Sequence, residues 1–196
     1  MKRITDICFS ILLLLFFLPI GLVIALLIAT GSSGGVFYRQ QRIGLNGKPF
    51  LLLKFRSMKV NADKSGKLTV GMRDSRITRI GYFIRKFKLD EFPQFINVLK
   101  GEMSIVGPRP EVPEYVQLYN DEQRRILNVK PGITDYASLA YFSENELLAK
   151  SDNPERTYIE EIMPAKIKLN EKYITNPTFR QDIKIMWLTF RKIMRV

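Results

Sequence analysis

Two adjacent carboxylates, Asp90 and Glu91, stand in the segment KLDEFPQ at positions 88–94. Pro93 suits the first turn of a helix, so the pattern predicts that the pair lies at a helix N-terminus. The amide donors and positive dipole end there stabilise carboxylates and attract phosphate, especially if magnesium bridges the two. Because neighbouring helical residues face different directions, we expect the two carboxylates to have different roles. Taken alone, a helix cap with ordinary first-turn acids also explains the segment.

Three further segments carry cations that could bind phosphate. Arg109 stands between two prolines in VGPRP at 106–110; the prolines fix the backbone around a guanidinium that can grip phosphate oxygens in a bidentate manner, although a rigid loop is the simpler explanation. Lys54 and Arg56 are two residues apart on a predicted strand and should share one face. The turn KPGIT at 130–134 adds a cation and a hydroxyl.

The composition narrows the chemistry. The 196-residue chain has no histidine and one cysteine, Cys8, which removes the usual general base and excludes an internal disulfide or a zinc cluster. Catalysis must then use carboxylates, cations or hydroxyls, and a metal should be a hard ion such as magnesium. The net charge of +12 favours anionic partners, which are nucleic acid, acidic lipid headgroups or phosphorylated substrates.

Positions 7–30 hold no charged residue, and as a helix they would measure about 36 Å, enough to cross a bilayer. A cleaved signal peptide is the alternative, but its apolar core is typically only about 7 to 15 residues long. Pro19 lies near the middle of the segment. Positive charge flanks it on both sides, at Lys2, Arg3, Arg39, Arg42 and Lys48.

Because Lys and Arg prefer the cytoplasmic side, this arrangement favours a re-entrant, monotopic helix that kinks at Pro19 and returns to the same face. A kinked spanning helix is the alternative. We therefore divide the chain into a membrane segment at 1–30 and one cytoplasmic catalytic unit at 31–196. A membrane anchor, several cations and an acidic pair together suit phosphoryl transfer at a lipid surface.

The elements that must position these residues are a hairpin and a set of helices. Strands are predicted at 36–43 and 50–58 around the Asn46-Gly47 turn signal, and a mobile loop, a candidate lid, at 61–75. A basic helix is predicted over 77–87, and Gly101 should end the helix that holds Phe95.

After a short strand in 104–110, helices are predicted over 115–128 and from Asn153-Pro154, the latter interrupted at Pro164. The C-terminal segment is amphipathic, with Phe179 and Trp187 on its apolar face and Arg180 and Arg191 on its basic face. It could lie on an anionic membrane or pack against the core. The fold class is α+β and helix-rich, with a re-entrant helix, a small β-hairpin and amphipathic interfacial helices.

Six segments in this order, VFYRQ (36–40), GKPF (47–50), KFRSM (54–58), LDEFPQ (89–94), VGPRP (106–110) and KPGIT (130–134), resemble the bacterial sugar transferases. Within these, the chain is similar to the small monotopic polyprenyl-phosphate phosphoglycosyl transferases that consist of the catalytic domain alone. The similarity covers about the first two thirds of the chain. Six motifs in the right order are highly specific.

The resemblance implies that Asp90 attacks the β-phosphate of a UDP-sugar, releasing UMP and leaving a covalent phosphosugar that polyprenyl (undecaprenyl) phosphate then takes. Glu91 would orient or deprotonate groups, and Mg²⁺, with Asp90 as its ligand, would neutralise the diphosphate. Four cations would hold phosphate oxygens: Arg109, Arg85, Lys54 and Arg56. It also implies a location at the bacterial inner membrane, with the catalytic domain on its cytoplasmic face.

The chain departs from the family pattern at two positions. Relatives often have Ser-Pro at the membrane kink and a glycine after KPGIT, where this chain has Leu18-Pro19 and Asp135. The first departure removes a hydroxyl that could cap the kinked backbone. The second could alter a loop near the sugar, and hence the preference for one donor.

Other function classes predict different biochemical behaviour. A non-catalytic, membrane-anchored basic scaffold would bind lipid without turnover, and nucleic acid is disfavoured because no nucleic-acid motif is present. A conventional glycosyltransferase would release UDP instead of UMP.

Overall fold

A computed structural model describes residues 2–66, 68–71 and 74–195. The chain begins with helix α1, Lys2–Gly31, which contains Pro19. Its 30 residues correspond to about 45 Å if the helix is straight. With a mean hydropathy of 3.2 over its most apolar stretch, α1 is long and apolar enough to cross a membrane.

The predicted hairpin is confirmed. Strand β1, Phe37–Ile43, pairs antiparallel with β2, Pro49–Phe55. Asn46 and Gly47 lie in the turn between them with positive φ values of 56° and 74°, a conformation that glycine and asparagine adopt most easily.

The acidic pair lies between two short helices. Helix α2, Arg79–Lys86, is capped by the Thr78 side chain and confirms the predicted basic helix. Helix α3, Gln94–Lys100, ends at Gly101, which has a φ of 85°. Asp90 and Glu91 occupy a 3₁₀ turn, Leu89–Glu91, directly before α3 instead of its first turn, because Pro93 takes the N-cap position.

Strand β3, Ser104–Val106, pairs in parallel with β4, Gly132–Thr134. Between them lie helix α4, Pro113–Val116, and a 3₁₀ turn, Gln123–Asn128. The continuous helix predicted over 115–128 is therefore wrong. The Asn120 side chain accepts a bond from the Gln123 amide at 2.8 Å, and the Gln123 side chain accepts one from the Asn120 amide at 3.0 Å. Such local bonds compete with a helical backbone and turn the chain.

The remainder of the described chain is mostly helical: α5, Tyr136–Ala140; α6, Glu144–Leu148; α7, Pro154–Thr157; α8, Met163–Thr175; and α9, Phe179–Ile193. A π-helical turn, Tyr158–Ile162, joins α7 to α8. The interruption predicted at Pro164 corresponds to this π turn, which ends two residues before the proline; Pro164 itself lies in the first turn of α8. Thr178 and Gln181 form a capping box that starts α9.

The predicted lid is partly described. Arg76 holds its described backbone together by donating to the carbonyls of Ala62 at 3.1 Å, Gly66 at 2.7 Å and Leu68 at 2.5 Å. The Gly71 amide bonds to the Asn145 carbonyl at 2.8 Å, so this part of the loop contacts α6. Positions 67, 72 and 73 of the predicted loop lie outside the described residues.

Helix α1 contacts the rest of the protein along most of its length. At its start, Lys2 bonds to Asp182 at 2.7 Å. Arg3 donates to the carbonyls of Val98 and Leu99 at the end of α3, a helix end that favours positive charge.

Further along α1, the Phe17 ring lies 5.0 Å from that of Phe92. Near its end, Ile24 and Ile28 enter a core cluster with Phe55 and Ile84. A second cluster joins β2, α3, β3, α8 and α9, and a third joins α4, α6 and the π turn to α8. The predicted helix-rich α+β class, with an apolar N-terminal helix and a small hairpin, is confirmed.

Candidate active site

One large cavity, of about 1230 Å³, contains the acidic pair. Its apolar side is lined by Phe17 of α1 and by Phe190 of α9, and its polar side by Asp90, Glu91 and Arg109. The cavity therefore connects the membrane-compatible helix to the carboxylates.

Glu91 is held by two cations that the sequence places far away. The Arg109 guanidinium binds it in a bidentate manner, with Nη1 at 3.0 Å from Oε2 and Nη2 bonded to Oε1. Lys54 Nζ lies 3.4 Å from Oε1. Because strand β2 supplies Lys54 and the loop after β3 supplies Arg109, both the hairpin and this loop must be folded for the arrangement to form.

Asp90 is free of such bonds. It is 5% exposed and makes no hydrogen bond or ion pair with the residues that the structure describes. Burial, followed by the neighbouring Glu91, raises its pKa above the usual range of an aspartate, while Lys54, Arg85 and Lys88 oppose that rise. The adjacent carboxylates thus occupy different environments, as expected from their helical spacing.

The pKa values of the three groups around Asp90 are also shifted: those of Glu91 and Lys54 fall and that of Arg109 rises. Burial favours the neutral form of Glu91, but Arg109 and Lys54 outweigh it and hold its pKa well below the usual range. Burial, helped by Arg109, lowers the pKa of Lys54 to about 8. Glu91 raises the pKa of Arg109, so the guanidinium stays charged. Glu91 is therefore a fixed anion and Asp90 a carboxylate with unused acceptor capacity.

The remaining predicted cations take different positions. Arg85 lies close enough to Asp90 to favour its charged form, and its buried Nε has no hydrogen-bond partner among the described residues. Arg56 lines the same cavity, but it donates to the carbonyls of Gly35 at 2.9 Å and Phe37 at 3.2 Å. It follows the last residue of β2 and folds back on β1, so the structure does not bring it to the acidic pair.

The backbone that carries Arg109 is fixed by two close approaches. Its amide donates to Asp135 Oδ2 at 2.9 Å. A Cβ built on Gly132 would stand 2.1 Å from the Gly107 nitrogen, so the VGPRP and KPGIT loops cross where only glycine fits. Sequence reasoning assigned KPGIT no such role.

The site fits a magnesium ion in one respect. Magnesium is typically held by one or two carboxylates together with substrate phosphates and water, and Asp90 is a buried carboxylate with no hydrogen-bond or ion-pair partner among the described residues. The oxygens of Glu91 are already bonded to Arg109 and Lys54. No cluster of three His, Cys, Asp or Glu that could enclose a metal occurs within 2–66, 68–71 and 74–195, so substrate oxygens would have to complete the coordination.

Two supporting residues escaped the sequence interpretation. Lys88 has a φ of 57° and places its Nζ 5.0 Å from the centre of the Phe142 ring; this left-handed residue turns the chain between α2 and the acidic pair. Asn170 of α8 donates to Asp135 Oδ2 at 2.6 Å. Neither residue could be found from the sequence. No local pattern predicts a positive φ at a lysine, and the contact between Asn170 and Asp135 joins residues 35 positions apart.

Known proteins resemble the chain throughout. The family model described as bacterial sugar transferase matches residues 1–196. A putative undecaprenyl-phosphate N-acetylgalactosaminyl 1-phosphate transferase of Bacillus subtilis is 47% identical over 121 residues, which is 62% of this chain and 68% of that protein.

The UDP-glucose:undecaprenyl-phosphate glucose-1-phosphate transferase of Escherichia coli is 38% identical over 98% of this chain, but the match covers only 40% of that relative. The uncharacterized sugar transferase EpsL of B. subtilis is 38% identical over 99% of this chain and 87% of its own length. The resemblance seen in the six motifs is thereby confirmed, and the chain belongs to the bacterial sugar transferase family.

Proposed function

We propose that this protein transfers a sugar 1-phosphate from a UDP-sugar to polyprenyl phosphate, releases UMP and so begins the assembly of a membrane-linked glycan. One observation carries the proposal. The Asp90 carboxylate has no partner among the residues that the structure describes, and it lies beside a Glu91 fixed by Arg109 and Lys54 in a cavity that reaches α1. The names of the relatives, which include undecaprenyl-phosphate sugar-1-phosphate transferases, support the same acceptor and donor classes.

In the first step, an Asp90 oxygen attacks the β-phosphorus of the donor. A bond forms between that oxygen and phosphorus, and the bond from phosphorus to the bridging oxygen breaks, so UMP leaves with the electron pair. The product is a phosphosugar joined to Asp90 as an acyl phosphate. A carboxylate nucleophile divides one transfer into two easier ones, and Asp90, which forms no ion pair within the described part of the chain, is available for this role.

In the second step, an oxygen of polyprenyl phosphate attacks the same phosphorus and Asp90 departs as a carboxylate. The lipid then carries a diphosphate-linked sugar. Arg85, with its unused buried Nε, supplies a donor for phosphate oxygens in both steps. Arg109 is committed to Glu91 and acts by keeping that anion in place and by adding positive potential.

Asp90 is also the residue that would hold a magnesium ion, together with the donor phosphates. Bound there, the ion neutralises the negative charge of the diphosphate. Removal of Mg²⁺ with a chelator should abolish UMP release. If release returns when Mg²⁺ is added back, the loss was not caused by unfolding of the protein.

We further propose that α1 is monotopic, with the catalytic part on the cytoplasmic face of the inner membrane. Contacts of Lys2 and Arg3 at one end and of Ile28 near the other, all with the same folded unit, support this arrangement. In a spanning helix one end would lie across the bilayer from that unit. Eight large apolar residues of α1 are more than half exposed and provide a lipid-facing surface: Ile4, Leu12, Leu15, Phe16, Leu18, Leu22, Val23 and Leu26.

The amphipathic helices suit the same surface. Phe83 of α2 is 53% exposed and Trp187 of α9 is 57% exposed, and both helices end with basic residues. Exposed aromatic and basic side chains together are typical of helices that lie in the membrane interface.

The decisive experiment measures UMP from the detergent-solubilised protein with Mg²⁺, undecaprenyl phosphate and a panel of UDP-sugars. Asp90→Asn should lower the rate by about 10³-fold or more, whereas Asp121→Asn, an exposed acid outside the cavity, should behave as wild type. Release of UDP would indicate a conventional glycosyltransferase. Lipid binding without release of either nucleotide would favour a scaffold.

The covalent step has its own test. Incubation with a donor labelled in the β-phosphate, without acceptor, should label the wild-type protein but not Asp90→Asn, and hydroxylamine should remove the label because it cleaves acyl phosphates. Turnover without any labelled protein would contradict the two-step route.

A further inference from the structure

A second polar cluster faces the same cavity from the side of α6 and α8. We call Arg42, Glu111, Glu144, Tyr158 and Lys166 the Glu144 cluster; all five line the cavity. Lys166 Nζ lies 2.8 Å from Glu144 Oε2 and 3.5 Å from the Tyr158 hydroxyl. Tyr158 in turn donates to Glu111, which is 3.5 Å from Arg42.

The charge of this cluster differs from that around Asp90. Two carboxylates and two cations make the Glu144 cluster neutral in total. Around Asp90 and Glu91, four cations act on the two carboxylates: Lys54, Arg85, Lys88 and Arg109. An excess of positive charge favours a diphosphate, whereas a cluster in which cations balance the carboxylates suits an uncharged group that can donate hydroxyl hydrogens to a carboxylate oxygen.

Glu144 has the capacity to bind such a group. Its Oε2 atom is used by Lys166, but Oε1 makes no hydrogen bond or ion pair with any described residue. Its side chain keeps 24% of its surface accessible. Lys166 lies 5.2 Å from the centre of the Tyr158 ring, so the cation that orients Glu144 is itself held in place.

The two charged regions are neighbours. Glu144 lies close enough to Arg109 to help raise the pKa of its guanidinium. Arg109 and Glu111 are two residues apart on one stretch of chain. A ligand with phosphates near Asp90 could therefore place an attached ring at Glu144.

We propose that the Glu144 cluster binds the sugar ring of the donor, with Glu144 accepting hydrogen bonds from ring hydroxyls. The inference rests on the proposed function and adds to it the part of the cavity that selects the sugar. A carboxylate that accepts hydroxyl protons makes stronger bonds than a neutral acceptor and distinguishes ring epimers by where their hydroxyls point.

The sugar fits this place better than the uridine does. In the proposed route UMP leaves after the first step, while the sugar must stay in position until the lipid phosphate attacks. The Glu144 cluster lies on elements that share a buried core, including Leu148 of α6 and Ile162 before α8. The bond from Gly71 to the Asn145 carbonyl also covers this side, which suits a group that is retained.

The test compares Glu144→Gln with Glu146→Gln in the full chain in detergent. Glu146 is exposed on the same helix, so it matches the loss of charge. For Glu144→Gln we expect the KM for the accepted UDP-sugar to rise about tenfold or more, with a changed ratio of kcat/KM between UDP-N-acetylglucosamine and UDP-N-acetylgalactosamine. The inhibition constant of UMP should stay within about twofold.

An unchanged KM and epimer ratio would overturn the proposal. An equal rise in the UMP inhibition constant would assign the cluster to the uridine and overturn it as well. Binding of the same donors to Asp90→Asn, with and without Glu144→Gln, gives a readout without turnover. A wild-type chain that binds UDP-sugars but releases no UMP would contradict the proposed function, while this binding comparison would still decide the sugar site.

Discussion

At the scale of single residues, Lys54 is held in a cavity where its charge is costly. Burial lowers its pKa to about 8, with Arg109 adding to that effect and Glu91 opposing it. Below that pH the ammonium group is charged and can attract a donor phosphate; above it the positive charge is lost. Catalysis should therefore depend on pH in a range where an ordinary lysine does not titrate.

We expect kcat/KM for the UDP-sugar to fall as the pH rises through about 8, because this parameter reports groups of the free enzyme. Steady-state UMP release between pH 6.5 and 10 measures the fall. Lys54→Arg should retain its charge and lose this alkaline limb. If kcat/KM of Lys54→Arg falls over the same pH range, the fall is due to the titration of another group.

Asp135, one of the departures from the family pattern, holds the backbone of Arg109 through a hydrogen bond to its amide. It is 1% exposed and accepts from the amide of Arg109, from that of Ser138 at 2.5 Å and from Asn170. An asparagine would keep the size but replace one acceptor oxygen with a donor. One of these three N–H groups would then lose its partner.

For Asp135→Asn we expect kcat to fall by about 10- to 100-fold, since small displacements of positioning groups have effects of this size. The affinity for the donor should change less when Asp135→Asn is added to the inactive Asp90→Asn variant. Stopped-time UMP assays and calorimetric binding measure the two. Two results together would contradict this role. If Asp135→Asn loses activity only to the extent that it loses thermal stability, and Asn170→Ala shows the same parallel loss, then Asp135 is structural and does not position Arg109.

At the scale of elements, the parallel pair β3 and β4 determines where the VGPRP and KPGIT loops cross. The Gly107 amide bonds to the Thr134 carbonyl at 3.1 Å and the Gly132 amide to the Pro108 carbonyl at 2.9 Å. These bonds leave no space for a side chain at Gly132. The close approach of the two backbones holds Arg109 over Glu91.

Gly132→Ala should therefore separate the loops, lower the melting temperature and reduce kcat/KM by about 10²-fold through the displaced Arg109. Gly31→Ala is the matched control, because a Cβ at Gly31 meets no atom within 4 Å. Thermal unfolding and UMP release measure both. Wild-type activity in Gly132→Ala would show that the loops adjust without moving the guanidinium.

At the scale of the whole molecule, α1 belongs to the folded unit and also carries the exposed apolar surface that the proposed membrane contact needs. Ile28 is fully buried against the catalytic part, while Leu26, two residues earlier, is 65% exposed. One helix thus presents a core face and an exposed apolar face within a single turn.

Ile28→Ala should destabilise the protein by about 2–5 kcal/mol, the usual cost of a cavity in a well-packed core. Leu26→Ala should leave the unfolding midpoint almost unchanged, because its side chain has no core contact to lose. Both are measured by denaturation in the same detergent. Equal effects at the two positions would mean that α1 does not pack as described.

The sequence allowed prediction of the elements that local signals determine. The Asn46-Gly47 turn and the amphipathic spacing of α9 depend on near neighbours, and both were predicted. The side chains of Asn120 and Gln123 ended a helix that apolar spacing alone favoured, because their bonds to the backbone compete with helical ones.

The candidate site was predictable as a set of residues but not as an arrangement. Motif order drew attention to Asp90, Glu91, Arg109 and Lys54, three of which are in direct contact. That Arg109 would bind Glu91, and that Arg56 would turn back to β1, depends on contacts 18 to 21 positions apart. Neither pairing leaves a local pattern in the sequence.

The contact between Lys2 and Asp182 has a consequence for biosynthesis. The two residues are 180 positions apart, so at ribosomal rates of about 5–20 residues per second roughly 10–40 s pass between their syntheses. During that interval Lys2 lacks its carboxylate partner, but it can already bond to the Val106 carbonyl, and Arg3 to the carbonyls of Val98 and Leu99. The amino end of α1 is therefore fixed in two stages, first by α3 and β3 and last by α9, so a chain that has not yet made α9 holds its first helix less firmly.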